Sequence, residues 1–400
     1  MSEKKMVSFD KAMALVLGRA RLLGTERADI GQALNRILAE DVVCDRDLPP
    51  FDKSAMDGFA CRREDLGNEL TVVESIQAGQ APARRIGRNE CARIMTGAVV
   101  AEGADCVVML EDTQQTAEGA IRFVGKITAD NICVRGEDVK KGEVVLHRGL
   151  RLAPQHIAVL ASAGCVSPCV ARQPRVGVVA TGDELVEPSV VPDGPCIRNS
   201  NSVQLLAQLE SMGARAEYYG IARDTTEALN NILDRALAKS DVLLVSGGVA
   251  AGDFDLVPEI LASKGVRLLF EKVAVKPGMP TIFGARDNVF CFGLPGNPVS
   301  TFVIFEVLVK PFLFKLMGHD YRPLVIPLRL EKAYVRSKPE RDCWVPVKRV
   351  SPGGVVAMEY HGPAHQGALS DADGLMCVRD GVSEVPKGAV VDVRSIQPQN

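Results

Sequence analysis

The sequence predicts an α/β protein of several domains, built around a doubly wound parallel sheet. Three observations lead there. Between residues 175 and 317, wholly apolar strands alternate with helical patterns, as in a sheet covered on both faces. Residues 58–150 hold short β-like runs separated by glycine and proline, which read as an antiparallel, β-rich insertion. From Tyr321 onward, short alternating runs recur without any helical period, the pattern of a small all-β barrel or sandwich. A chain of 400 residues fits this plan, at roughly 100–200 residues per domain.

The elements follow in order. Ser8 is an N-cap for a first helix, and a second is expected over Ile30–Ala39, giving a helical stretch across residues 8–40. Asp47 to Gly58 contains two prolines and a glycine and reads as a loop. Strands are expected at Leu70–Ile76, Cys91–Met95, Cys106–Leu110, Ala120–Val124 and Val144–Leu146, with a short helix at 153–164. In the α/β part, strands are expected at Arg175–Ala180, Ala216–Ile221, Asp241–Val245, Arg267–Val275 and Asn288–Phe292. Helices lie between and after them at Asn201–Met212, 225–239 (capped by Asp224), Phe254–Ser263 and 298–317. The C-terminal strands are expected at Leu324–Leu330, Trp344–Val350, Gly354–Glu359, Leu375–Arg379 and Val390–Ile396.

Composition excludes several functions. With 47 Lys and Arg against 50 Asp and Glu, the net charge is −3, without the basic excess of a nucleic-acid binder. Aromatic residues are 5% of the chain, too few for base-stacking platforms. The 11 scattered cysteines and 5 dispersed histidines form no metal-ligand spacing and suit a reducing compartment. No segment approaches the ~18 consecutive apolar residues of a membrane span. The expectation is a soluble, cytoplasmic protein.

Ligands of open α/β sheets bind beyond the carboxyl ends of strands, and unusual residues cluster there. One strand ends in Thr181-Gly-Asp-Glu184. A second ends in Ser246-Gly247-Gly248, followed by Gly252, Asp253 and Asp255. A third ends in Gly293-Leu-Pro295-Gly296-Asn297-Pro298-Val-Ser300. The glycine loop lacks the spacings of a dinucleotide fingerprint or a P-loop. Its backbone N–H groups nevertheless suit an anion. Carboxylates beside a phosphate repel it unless a cation lies between, and Mg²⁺ resolves that conflict. Lys276-Pro277-Gly-Met279-Pro280 holds a lysine in a rigid loop, a natural oxyanion contact. The residues alone therefore reach an α/β protein with a Mg²⁺-assisted site for a phosphate-bearing ligand.

Seven motifs then occur in a particular order. They are Ser54-Ala-Met-Asp-Gly-Phe-Ala, Ile94-Met-Thr-Gly-Ala, Arg135-Gly-Glu-Asp138, Thr181-Gly-Asp-Glu-Leu, Ser246-Gly-Gly-Val, Lys276-Pro-Gly and Gly293-Leu-Pro-Gly-Asn-Pro-Val-Ser. In this the chain resembles the molybdopterin molybdenumtransferases, the family of bacterial MoeA and the gephyrin E domain, from about residue 8 to 400. The resemblance implies a helical linker domain (1–45 with 140–172), a β-rich inserted domain (46–139), a central doubly wound α/β molybdopterin-binding domain (173–320) and a C-terminal β-barrel (321–400). It implies a homodimer with its site between protomers, supplied by a molybdopterin adenylyltransferase. The implied reaction is Mg²⁺-assisted insertion of molybdate into adenylylated molybdopterin, with release of AMP.

Carried over by motif, Asp57, Thr96, Asp138, Glu184, Lys272 and Lys276 are the catalytic candidates. Glu184, Asp224 and Asp255 form the Mg²⁺ set. Ser246, Gly247, Gly248, Pro277, Pro295, Gly296, Asn297, Pro298, Ser300 and Arg341 are the substrate and molybdate contacts. The chain departs from the family pattern at Met279 (usually lysine), at Ala250 (usually serine) and in the loop Gly362–Leu369 (usually serine-rich). Those departures keep two alternatives in view, a molybdopterin-binding carrier or scaffold and a tungstate-selective paralogue. A different nucleotide-handling enzyme would account for the glycine loop but not for the motifs around Asp57 and Thr96.

Overall fold

The computed structural model describes residues 6–249, 256–358 and 367–396. Its centre is a six-stranded sheet in the order Arg215–Ala222, Arg175–Thr181, Val242–Ser246, Val289–Leu294, Ile282–Arg286, Arg267–Phe270. The first four are parallel. Their alternate residues feed two cores. Val176, Val178, Val242 and Leu244 join one cluster, whereas Val179, Leu243 and Val245 join the other, as the two-residue period of a strand requires. Phe283, Phe292 and Phe312 interlock in the larger core, with centroids 4.7–5.7 Å apart.

The sheet is not wholly parallel, contrary to expectation. Ile282–Arg286 and Val289–Leu294 form an antiparallel hairpin across Asp287-Asn288, with Asp287 at φ 48. A two-residue turn leaves no room for a crossover helix. The apolar run 267–275 is likewise two strands. Arg267–Phe270 stays at the edge of the α/β sheet, while Lys272–Lys276 leaves it for the C-terminal barrel. The helix at 298–317 continues through five π-helical residues, Phe305–Val309, between two α segments. There the buried Glu306 ion-pairs with Lys310 at 2.9 Å and accepts from Gln208 at 2.9 Å.

Near the N-terminus, Ser8 caps the helix Phe9–Leu17 by accepting from the Lys11 amide. The second expected helix is only a 3₁₀ turn, Ile30–Gln32. Asn35 turns the chain at φ 64, and Ile37 and Leu38 then bridge to Arg151 and Val170. Ala33 and Leu38 are buried in a small core with Leu152 and Leu160, whereas Ile37 joins the larger core and Leu34 is exposed. A second six-stranded sheet runs Cys106–Met109, Gly58–Cys61, Glu90–Ile94, Glu69–Ile76, Ala120–Phe123, Thr113–Ala117. It is antiparallel except that Glu69–Ile76 and Glu90–Ile94 are parallel, because the connection 77–89 is long enough to cross over.

The C-terminal strands close into a five-stranded barrel. Asp342–Ser351 pairs on one side with Gly354–Ala357 and on the other with Gly374–Val378. Val325–Leu330 and Val390–Ser395 complete the ring. Leu330, Val345, Val347, Val355 and Met376 fill it. Lys272–Lys276 pairs in parallel with the start of Asp342–Ser351, and Met6–Ser8 pairs in parallel with Lys272–Ala274. The barrel, the N-terminal strand and the α/β body therefore meet at the Lys276 loop. Among the described residues, no helix is long and apolar enough to cross a membrane.

Candidate functional site

A cavity of about 1190 Å³ opens at the carboxyl ends of the parallel strands. Glu184, Asp224, Ser246, Gly247, Gly248, Pro295, Gly296, Asn297 and Pro298, separated in sequence, all line it. Asp224 does not cap the following helix as expected. Thr225 does, accepting from the Ala228 amide at 3.3 Å. Asp224 is thereby released to the cavity, where it accepts from the Thr181 hydroxyl at 2.6 Å. Asp183 and Asp224 also exchange amide-to-carboxylate bonds of 3.4 and 3.2 Å, tying two strand ends together. Gly247 has φ 95, and a Cβ there would stand 2.4 Å from the Thr181 carbonyl oxygen. The glycine is a steric requirement of this close approach.

Sequence reasoning missed Asn201, which holds this wall together. Its Nδ2 donates to Ser246 Oγ at 2.9 Å and to the Gly296 carbonyl at 2.7 Å. It sits where the strap between Leu185–Val186 and Ile197–Arg198 runs into the helix Ser200–Ser211. Asn199 caps that helix and donates to the Tyr218 hydroxyl, which donates to Glu187 at 2.8 Å. Burial, reinforced by Glu187, pushes the Tyr218 phenol up to about 12.

A second cavity, of about 840 Å³, adjoins the first and shares Pro280, Pro295 and Asn297 with it. Lys276, Pro277, Ser300 and Arg341 line it, as does Met279. The Lys276–Pro277 bond is cis. The loop is fixed by the Thr281 hydroxyl on Gly278 O at 2.6 Å and by two amides, of Val273 and Thr281, on Met279 O. The buried Arg336 guanidinium donates to the carbonyls of Arg341, Arg379 and Val382, which sets the position of Arg341. Lys332 also lines this cavity and was missed, because it belongs to none of the seven motifs.

Other candidates lie elsewhere. Lys272 lines neither cavity. It stands four residues before Lys276 on one strand, about 13 Å away at the rise of a strand. Asp57 and Thr96 meet each other, the Asp57 carboxylate accepting from the Thr96 amide at 2.6 Å and its hydroxyl at 2.7 Å. The amide bond, then the hydroxyl bond, hold Asp57 below the ordinary carboxylate range. Asp57, Thr96 and Asp138 are exposed and line neither cavity of the same chain. Asp255, with Ala250, Gly252, Asp253, His361 and His365, lies outside the described residues. Among the described residues, no three His, Cys, Asp or Glu side chains are grouped to hold a metal ion.

A family model described as MoeA N-terminal region (domain I and II) matches residues 7–164. One described as probable molybdopterin binding domain matches residues 177–315. A molybdopterin molybdenumtransferase of Staphylococcus epidermidis is 35% identical over 378 residues, 91% of this chain and 90% of its own length. One from Staphylococcus aureus is 37% identical over 316 residues, 77% of this chain and 75% of its own. The crystal structure of a molybdopterin biosynthesis MoeA protein from Pyrococcus horikoshii OT3 superposes with a TM-score of 0.84 at 28% identity, covering 98% of this chain and all of that one. The chain belongs to the molybdopterin molybdenumtransferases, a family of enzymes of molybdenum cofactor biosynthesis.

Proposed function

We propose that this enzyme inserts molybdate into adenylylated molybdopterin with Mg²⁺ and releases AMP. The observation that supports this most is the pairing of two joined cavities of opposite character. One is walled by Glu184 and Asp224, the other by Lys276, Lys332 and Arg341. Glu184 and Asp224 are hard oxygen donors, and Mg²⁺ is held well by one or two carboxylates together with phosphate oxygens. They would hold it with Asp255, and when bound it supplies neutralising charge to the pyrophosphate. Gly247 and Gly248 line the same cavity, where backbone N–H groups suit phosphate oxygens. Lys276, Arg341 and the Ser300 hydroxyl hold the tetrahedral oxyanion by charge-assisted hydrogen bonds. Fixing the two ligands against each other supplies orientation; a water or molybdate oxygen then attacks the molybdopterin-side phosphorus, the pyrophosphate P–O bond breaks, and AMP leaves with the bridging oxygen.

On this reading the chain has a linker part (1–45 with 140–172), an inserted part (46–139), the α/β body (173–320) and the barrel (321–400). It acts in the cytoplasm as a homodimer supplied by a molybdopterin adenylyltransferase. Asp57, Thr96 and Asp138 then serve the cavities of the second copy, since they reach neither cavity of their own. The test is AMP release from adenylylated molybdopterin, with Mg²⁺ and with or without molybdate or tungstate. Asp57→Ala and Glu184→Ala each abolish release while the protein stays folded. Mixing and reassociating the two variants restores about a quarter of wild-type turnover, because half of the random dimers carry one intact site out of two. No recovery on mixing refutes the shared site. Release that ignores the oxyanion refutes the insertion chemistry.

A further inference from the structure

Among the described residues, the carboxylate-walled cavity is lined by one cation that the family motifs leave unassigned. We propose that Arg198 binds the phosphate groups of the ligand and pins the strap that forms this wall. The proposal rests on the reading of the cavity as an adenylyl-pyrophosphate site. Arg198 lines the cavity with Glu184 and Asp224. Its Nε donates to the carbonyls of Pro188 (3.0 Å) and Val190 (3.1 Å). The plane of the guanidinium is thus anchored by one N–H, while its terminal nitrogens hold no hydrogen bond among the described residues. No described carboxylate forms an ion pair with it. Glu187, on the same strap, is already engaged by Tyr218.

The anchored fork suits phosphate oxygens, which accept two parallel N–H bonds from one guanidinium. The strap around it is stiffened by Pro188, Pro192 and Pro195. The cavity also exposes the apolar side chains of Ile197 (54%) and Val203 (53%). A fixed cation beside exposed apolar side chains fits a ligand with a heterocycle attached to phosphate. It does not fit a bare carboxylate wall that only collects metal ions.

The test uses the full chain with Mg²⁺ and measures ADP and adenosine affinity by titration calorimetry. Arg198→Ala weakens ADP by about tenfold or more, the loss expected for a charge-assisted contact, and changes adenosine affinity far less. Arg198→Lys keeps the charge and recovers part of the ADP affinity. Arg322→Ala, which removes an exposed charge paired with Asp320, binds ADP as the wild type does. If Arg198→Ala binds ADP like the wild type, the assignment fails alone. If ADP and adenosine weaken equally and Arg198→Lys is no better than Arg198→Ala, the residue only pins its strap, and the phosphate role is overturned. If the wild type binds no ADP, the reading of the cavity falls and the assignment falls with it.

Discussion

Replacing Gly247 with alanine tests whether the glycine loop shapes the ligand cavity. Gly247 has φ 95, and a Cβ there meets the Thr181 carbonyl oxygen at 2.4 Å. An ordinary carbon-to-oxygen contact is about 3.3 Å, so the loop and the strand end must separate by roughly 0.9 Å. Thr181 has little freedom to yield. Its strand is paired on both sides, and its hydroxyl holds Asp224. The left-handed backbone alone costs alanine about 1–2 kcal/mol, and the clash brings the destabilisation to about 2–4 kcal/mol. A displacement of about 1 Å at a reacting site costs on the order of 100-fold in rate. Gly296→Ala is the matched control on the same wall, since its Cβ meets only Gly247 Cα at 3.9 Å. The assays are the urea unfolding midpoint and ADP affinity. Gly247→Ala lowers both, and Gly296→Ala leaves the midpoint within about 0.5 kcal/mol of wild type. Wild-type stability and binding in Gly247→Ala would refute the close-approach argument.

Two further outcomes follow from the charges. Lys276→Ala and Arg341→Ala each raise the molybdate concentration needed for half-maximal AMP release by about ten- to a hundredfold, because each removes a charged donor worth about 1.5–3 kcal/mol. Neither shifts the unfolding midpoint, and unchanged molybdate dependence in both would remove that cavity from the reaction. Asp241 joins the α/β strand Arg175–Thr181 to the preceding segment through Arg172 and Arg175, at 3.0 and 3.2 Å. Burial pushes its carboxyl up, but the bonds from Arg172 and Arg175 outweigh burial and hold it below 3.8. A depressed carboxyl contributes stability above its unfolded pKa and loses it as pH falls through the folded one. Asp241→Asn should therefore cost about 1–3 kcal/mol at pH 7, discounted for two half-exposed arginines. The gap from wild type in urea midpoint narrows below about pH 4, and a gap that widens on acidification would contradict the linkage.

How far the sequence could be read depended on whether a feature is local. Strand existence is local, so Val144–Leu146 has the bounds expected and Arg175–Thr181 extends its expected run by one residue. Sheet membership is not local. The run 267–275 carries one continuous β pattern, yet it serves two sheets on either side of Glu271. The helix expected over Ile30–Ala39 is only a 3₁₀ turn, Ile30–Gln32, because Asn35 leaves the helical region at φ 64. The cavity residues at strand ends were legible because glycines, prolines and carboxylates concentrate there. Lys272 lies on the same strand as Lys276 but lines neither cavity, because a motif does not fix distance along a strand. Asn201 and Lys332 were missed because each is an ordinary residue whose role comes from what folding sets beside it.

The joining of the two cavities constrains the proposed reaction further. A free oxyanion entering the acidic cavity would face Glu184 and Asp224, whose two negative charges outnumber the one lining cation described there, Arg198, and without a metal ion it is disfavoured there. In the basic cavity it meets Lys276, Lys332 and Arg341 and needs no metal. A pyrophosphate has the opposite preference only if it arrives with a divalent cation, which the acidic wall then favours. On the proposed reading, charge alone sorts the two substrates to opposite sides of the wall formed by Pro280, Pro295 and Asn297. Met279 sharpens the point. A lysine there would add a fourth cation beside that wall and would draw the pyrophosphate toward the oxyanion side. A methionine leaves the boundary neutral, and Met279→Lys should therefore tighten molybdate binding while raising the KM for the adenylylated substrate. A fall in both would show that the sorting is not electrostatic.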